Sequence, residues 1–254
     1  MKRALVVVAL VALTGCGSSP TLVVGAGTTI VDSGFADALA DRYEAVDIAV
    51  VGGSSRELLS LLEAGAIDLA ITHHPEAESE YLADHPEAVS AVVFSSSFVF
   101  AGDPSVADEV LRSLSVDALL AEVADHGVTF VSRSDGSGTA AVEQRLWSDA
   151  AVTPEGEWYV ETGQGMGFTL QITDQRDGIT LTELGAIIAV ADRLDLVYWS
   201  PETLANPYRA TVGDDAPAKA VELVDWLIST DGRSAITEAS SLTIGGAVDA
   251  QGDG

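Results

Sequence analysis

Arg133 stands in a run built almost wholly of hydroxyl, carboxyl and glycine residues, Arg133-Ser134-Asp135-Gly136-Ser137-Gly138-Thr139, entered through the apolar Phe130-Val131. Its guanidinium supplies a planar fork of fixed positive charge. Ser137 and Thr139 supply hydroxyls, and a helix opening at this point leaves the first backbone N–H groups, that of Gly138 included, without partners. Arginine, orphan amides and the positive end of a helix dipole together hold phosphate-like anions. The plain alternative is a Ser137 helix cap and nothing more.

Three further turns set small or hydroxyl residues at a helix start: Gly27-Thr28-Thr29, Gly53-Ser54-Ser55-Arg56 and Gly163-Gln164-Gly165-Met166-Gly167. Thr28, Thr29 and Ser55 offer hydroxyls, and Gly165 and Met166 offer backbone amides. Each turn taken singly is cap or donor. Four of them at strand ends, one carrying an arginine, point to one anion site. The glycine run lacks the GxGxxG spacing and the chain has no GxxxxGK[ST], so a nucleotide site is not indicated. Ser137 has neither a GxSxG frame nor a base placed by sequence, so no catalytic residue is assigned. A phosphoryl-handling enzyme remains the alternative from another class, and turnover of a phosphoester would support it. His73 and His74 are adjacent, and neighbouring strand residues face opposite ways. With no zinc spacing elsewhere, they read as turn residues, with a place for His73 in the cleft lining as the lesser alternative, and neither metal nor cofactor is expected.

The elements that must position these turns alternate. Strands are expected at 22–25, 47–51, 67–72, 89–101, 128–132, 158–161, 179–182, 194–199 and 208–212. Helices are expected at 33–44, 55–64, 76–84, 105–125 with gaps, 137–150, 166–174, 183–191, 216–229 and 231–238. Alternating β and α imply an α/β fold with mostly parallel sheets and a ligand crevice at the carboxyl ends of the strands. Two of the four turns fall in each half, which suits a cleft between two lobes. The pairs Trp158-Tyr159 and Tyr198-Trp199 fit lobe core or hinge packing.

Charge narrows the partners. The 39 Asp and Glu outnumber the 12 Lys and Arg, for a net charge of −27. Nucleic acid is excluded, because its binding rests on phosphate neutralisation. Electrostatic adhesion to anionic lipid is disfavoured for the same reason. An anion site must therefore work through local donors, which is feasible because salt screens fields beyond about 10 Å.

The chain opens with Lys2-Arg3 and an apolar run, 4–13, too short to cross a bilayer and suited to a signal segment. Leu13-Thr14-Gly15-Cys16 resembles the lipobox of bacterial lipoproteins, and Cys16 has no cysteine partner in the chain. The resemblance implies a signal peptide at 1–15, lipidation of Cys16, a tether at 16–20, and an extracytoplasmic protein anchored to the cell membrane.

The mature chain as a whole resembles the tungstate-binding lipoproteins of Tup-type ABC transporters. The resemblance is carried by Thr28-Thr29-Ile-Val-Asp-Ser-Gly34-Phe, Asp68-Leu-Ala-Ile-Thr-His73, Val131-Ser-Arg-Ser-Asp-Gly-Ser-Gly-Thr139, Thr162-Gly-Gln-Gly-Met-Gly-Phe-Thr-Leu170, Leu181-Thr-Glu-Leu-Gly185 and Asn206-Pro207-Tyr208. It implies a two-lobe type II periplasmic-binding-protein fold, with lobe one at 21–97 and 201–250 and lobe two at 98–200. It also implies a substrate-binding protein, not an enzyme, that captures tungstate or molybdate as an oxyanion. The implied ligand set is Thr28, Thr29, Ser55, Arg133, Ser137, Gly138, Thr139, Gly165 and Met166. The implied partners are an ABC permease and its ATPase, and a monomer is expected. The chain departs from the family at Gly27, Ser54-Ser55-Arg56, Ala140 and Glu183-Leu184.

Arg133 to Thr139 is also similar to the anion loop of phosphate-binding proteins, and Gly25-Ala-Gly27 to their N-terminal turn. Tungstate, fully deprotonated at neutral pH, needs donors only. Phosphate keeps a proton there and benefits from a carboxylate acceptor. An Asp135 that caps the turn favours tungstate or molybdate; an Asp135 that faces the ligand favours phosphate. A lipid-anchored oxyanion sensor without a transporter is the remaining alternative.

Overall fold

The computed structural model describes residues 21–250. The expected signal peptide at 1–15, Cys16 and the tether at 16–20 lie outside the described residues. β1 (Thr21–Gly27) runs into α1 (Thr28–Asp32) and α2 (Phe35–Ala40), then β2 (Asp47–Gly53), α3 (Ser55–Glu63), β3 (Leu69–Thr72) and α4 (Pro75–Asp84). The helix expected at 33–44 is α2 alone, ending at Ala40, and a further short helix, α1, stands before it where a turn was expected. Gly34 takes φ 76°, a left-handed conformation glycine enters without a Cβ penalty, and its N–H bonds to the Val31 carbonyl to close α1. Phe35 is then fully buried, edge-on to Phe94.

β4 (Val89–Gly102) leaves this half for the other, where α5 (Glu109–Ser113), α6 (Val116–His126), β5 (Phe130–Ser132), α7 (Gly138–Asp149), β6 (Tyr159–Glu161), α8 (Met166–Gln175), β7 (Ile179–Glu183) and α9 (Leu184–Val190) follow. β8 (Val197–Val212) returns, and α10 (Ala218–Ile228), α11 (Thr230–Thr243) and β9 (Asp249–Ala250) complete the first half. The two strands expected at 194–199 and 208–212 are one. Pro201 falls in an irregularity between Trp199 and Leu204 where the ladder with β4 lapses, and Pro207 where β8 pairs with β4 alone, since β3 meets only Arg209–Thr211 of it. There β8 is an edge strand, the place where a missing N–H is tolerated.

One sheet of order β2-β1-β3-β8-β4-β7-β5-β6 runs through the molecule, with β9 beside β4. β1 pairs in parallel with β2 and β3, and β5 with β6 and β7. The long antiparallel pair β4–β8 joins the two parallel halves. The apolar core divides along that pair. Leu22, Val24, Phe35, Phe94, Tyr208 and Ile236 belong to one cluster, and Phe98, Phe100, Phe130, Trp147 and Leu181 to another. Smaller clusters around Leu58 and Met166 cover the opposite faces. We propose that the lobes divide between Phe94 and Phe98 on β4 and between Leu204 and Tyr208 on β8. Trp158, Tyr159 and Trp199 pack in the second core, as expected, but Tyr198, expected there too, is exposed because its side chain leaves the opposite face of β8. Among the described residues no helix is long and apolar enough to cross a membrane.

Candidate functional site

The anion-type loop joins β5 to α7. Ser134 at φ 45° and Gly136 at φ 72° turn the chain back on itself, and Ser137 caps α7 by accepting from the Ala140 N–H at 3.3 Å. Asp135 lies inside the turn. Its Oδ1 accepts from the Ser137 N–H at 3.1 Å and its Oδ2 from Arg133 Nε at 2.7 Å. Both carboxylate oxygens are therefore used within the loop, and one face of the guanidinium is held.

The other face reaches the opposite lobe. Arg133 Nη2 donates to Thr28 Oγ1 at 2.8 Å and Nη1 to Thr29 Oγ1 at 3.4 Å, across the cleft, and Arg133 is only 2% exposed. Each threonine oxygen accepts here, so each hydroxyl hydrogen is available to another acceptor. Thr139, 0% exposed, has a hydroxyl with no partner among the described residues. Leaving such a group unmatched costs about 1–3 kcal/mol, which a bound acceptor would recover.

The Gly163–Gly167 turn is fastened to this loop through Thr162. The Thr162 N–H donates to the Ser132 carbonyl at 2.9 Å, and its Oγ1 to the Arg133 carbonyl at 3.2 Å. Gly165 caps α8 without a side chain, leaving the amides of the first turn unpartnered by the helix. The Met166 side chain belongs to the core with Leu170 and Ile187, so only its backbone is offered. Thr29 and Met166 line one cavity between the lobes. Ser55, buried, accepts from the His73 N–H at 3.3 Å, while Arg56 turns outward to Glu80.

His73, for which a place in the cleft was only the lesser alternative, lies where the two lobes meet. Its ring and carbonyl lie against Gly138, where an added Cβ would fall 2.7 Å from each. It stacks on Tyr208, and its Nδ1 is 3.1 Å from Asn206 Oδ1. Glu183, a family departure at the end of β7, is buried with them. Its Oε2 accepts from Tyr208 Oη at 2.5 Å, Asn206 Nδ2 at 2.9 Å and Ser96 Oγ at 3.2 Å. Burial, then the Glu183 charge, hold the Tyr208 phenol well above its usual range. The sequence marked these residues only as parts of the segments that carry the resemblance and as polar positions in strands otherwise apolar.

A second buried carboxylate props the loop from behind. Glu143 accepts from Tyr159 Oη at 2.7 Å, Ser132 Oγ at 3.1 Å and the Arg133 N–H. Burial outweighs these bonds and raises its pKa from 4.5 to about 7. The folded chain holds this proton more tightly than the unfolded one. The stabilisation, about 3 kcal/mol, is therefore present below the unfolded value and lost as pH rises through the folded one. Between pH 5 and 8 the melting temperature should fall by on the order of 10 °C from this group. Thermal melts of Glu143→Gln should show a correspondingly flatter profile; a profile as steep as the parent's would assign the loss elsewhere.

Two α/β lobes joined by a pair of long crossover strands and closing on a polar cleft define a two-lobe solute-binding architecture. A PBP superfamily domain profile matches residues 14–224, and the chain belongs to that superfamily. It is 29% identical to the tungstate-binding protein TupA of Peptoclostridium acidaminophilum over 272 aligned positions, 94% of each chain. It is 35% identical to a Haloferax volcanii protein named as an ABC transporter anion-binding protein, over 77% of this chain. The chain spans 60% of that relative's length. Among solved structures, one titled as the tungstate ABC transporter from Geobacter sulfurreducens is 30% identical with a TM-score of 0.78, covering 87% of this chain and all of its own.

Proposed function

We propose that this chain is the extracytoplasmic substrate-binding protein of an ABC importer and that it captures a tetrahedral oxyanion, tungstate or its near-isostere molybdate. The names of the Peptoclostridium and Geobacter relatives support the ligand class. In this reading the chain acts as a monomer, binds without turnover, is held at the membrane by a lipid on Cys16, and delivers its ion to a permease and ATPase. Thr28, Thr29, Ser55, Ser137 and Thr139 donate hydroxyls, Gly138, Gly165 and Met166 donate amides, and Arg133 supplies the charge.

The observation that carries the choice of ion is Asp135. Both of its oxygens are engaged inside the turn, by Ser137 and Arg133. The loop then presents donors only, which suits an ion with no proton of its own and disfavours phosphate. Charge-assisted hydrogen bonds contribute about 1.5–3 kcal/mol each, so a handful reaches the roughly −8 kcal/mol of a micromolar ligand. Calorimetric competition among tungstate, molybdate, sulfate and phosphate tests this. Tungstate and molybdate should bind at micromolar concentration or below and resist a hundredfold excess of phosphate. Displacement by equimolar phosphate would replace tungstate with phosphate as the ligand. Permease and ATPase genes beside this one separate import from sensing.

A further inference from the structure

Polar atoms of two buried side chains face each other at the hinge. His73 Nε2 lies 3.9 Å from Glu183 Oε1, and both side chains are almost fully buried. Among the described residues Oε1 has no hydrogen-bond partner, while its sister Oε2 has three. The hydrogen on the other side of the imidazole is fixed by the network. Asn206 Nδ2 donates to Glu183 Oε2 and to Ser96 Oγ, so Asn206 Oδ1 is the acceptor and His73 Nδ1 carries the hydrogen. A neutral His73 would then point the Nε2 lone pair at a carboxylate oxygen. That places two buried acceptors opposite each other, a costly arrangement that one added proton resolves.

We propose that His73 and Glu183 form a proton-binding site that fills when the cleft closes on its oxyanion, so that the protein takes up a dianion together with one proton. The proposal rests on the oxyanion reading above. Charge supports it. Around the cleft floor one guanidinium, Arg133, stands against two carboxylates, Asp135 and Glu183, which leaves one net negative charge before any ligand arrives. A proton on His73 cancels it. Closure also seals the site, because Gly138 of the other lobe seats on the His73 ring and carbonyl. In an open cleft water would serve Nε2 and Oε1 separately.

The charged and titratable groups around His73 are few. Glu183 comes from β7 and Tyr208 from β8, and Arg133 with Asp135 lies in the loop before α7. Glu76 and Arg145 line the small cavity on its other side. From α3 and β4 it meets only Ser55 and Phe98.

Calorimetry of the full chain with tungstate at pH 8, in buffers of different ionisation enthalpy, counts the protons taken up. About one per ion is expected there, falling toward none in acid, where the site would already hold its proton before the ion arrives. Affinity should accordingly weaken about tenfold per pH unit in the alkaline range. Glu183→Gln places a permanent N–H donor opposite Nε2. It should bind without proton uptake and with a flat pH profile, and His73→Asn should also lose the uptake. Glu143→Gln should keep it. Heat of binding that is independent of buffer overturns the proposal. So does uptake that persists in His73→Asn and Glu183→Gln, or that disappears in Glu143→Gln. Should His73→Asn fail to fold, Glu183→Gln decides alone. No heat with any of the four oxyanions removes the oxyanion reading, and this proposal with it.

Discussion

Arg133→Ala is expected to lose tungstate binding by two to four orders of magnitude while the unliganded protein keeps its fold. The guanidinium is the cleft's fixed charge, already aimed across the lobes at Thr28 and Thr29. Two charge-assisted bonds to an oxyanion are worth about 3–6 kcal/mol together, and each 1.4 kcal/mol is tenfold. Removal also leaves Asp135 as an unneutralised negative charge beside the ligand, which deepens the loss. The turn survives, because Asp135 still accepts from the Ser137 N–H and Ser137 still caps α7. The melting temperature of the free protein should therefore move by no more than about 5 °C. Calorimetry at the parent's affinity would refute the role of Arg133. Removing both charges, as Arg133→Ala with Asp135→Ala, should restore part of the loss.

Gly138→Ala is expected to do the opposite of an ordinary core substitution, weakening binding without weakening the fold. Gly138 opens α7, and alanine is the better helix former by about 0.8–1.0 kcal/mol in a helix interior and less at an end. Lobe two should therefore melt no lower than in the parent. In the closed molecule, however, the new methyl group would sit 2.7 Å from the His73 carbonyl and 2.7–2.8 Å from its ring. The carbonyl belongs to backbone next to β3, which cannot step aside as a side chain can. Overpacking of this kind costs about 1–3 kcal/mol. Paid by the closed state alone, it lowers the competent fraction and the apparent affinity by roughly 5- to 150-fold. Small-angle scattering with and without tungstate reads the closure directly. A variant that closes and binds like the parent would show that the lobes meet elsewhere.

The strand–turn–helix rhythm was readable because each strand end is marked by glycine or a hydroxyl residue. Residues 130–139 were readable because arginine, serine and glycine stand there consecutively. Local chemistry of that kind survives in a linear text. The fate of Asp135 did not, since Asp135 at a turn serves equally as cap or as ligand contact until the loop closes around it. α1 went unread because Thr28 and Thr29 read as the turn itself, and Gly34 is the residue that parts it from α2. Pro201 and Pro207 made β8 read as two strands, because Pro201 sits where the ladder with β4 lapses and the pairing that tolerates Pro207 is set by how short β3 is. His73 and Glu183 were beyond reach for a different reason. They are far apart in the chain, and they meet only because β3, β7 and β8 converge at the hinge. His73 read as half of a turn dipeptide, and Glu183 as a departure from its family.

The division of the core along β4 and β8 also orders the assembly of the molecule. Lobe two is built from one uninterrupted stretch, from Phe98 to Leu204, and can complete its apolar interior without help from either end of the chain. Lobe one cannot. Leu22, Val24 and Phe35 wait for Tyr208, Leu223 and Ile236, contributed by the last segment to arrive. β3 likewise lacks a neighbour on one side until β8 returns to it. A chain emerging from its amino end therefore carries bare apolar strands through most of its length, the condition in which wrong pairing and aggregation compete with folding.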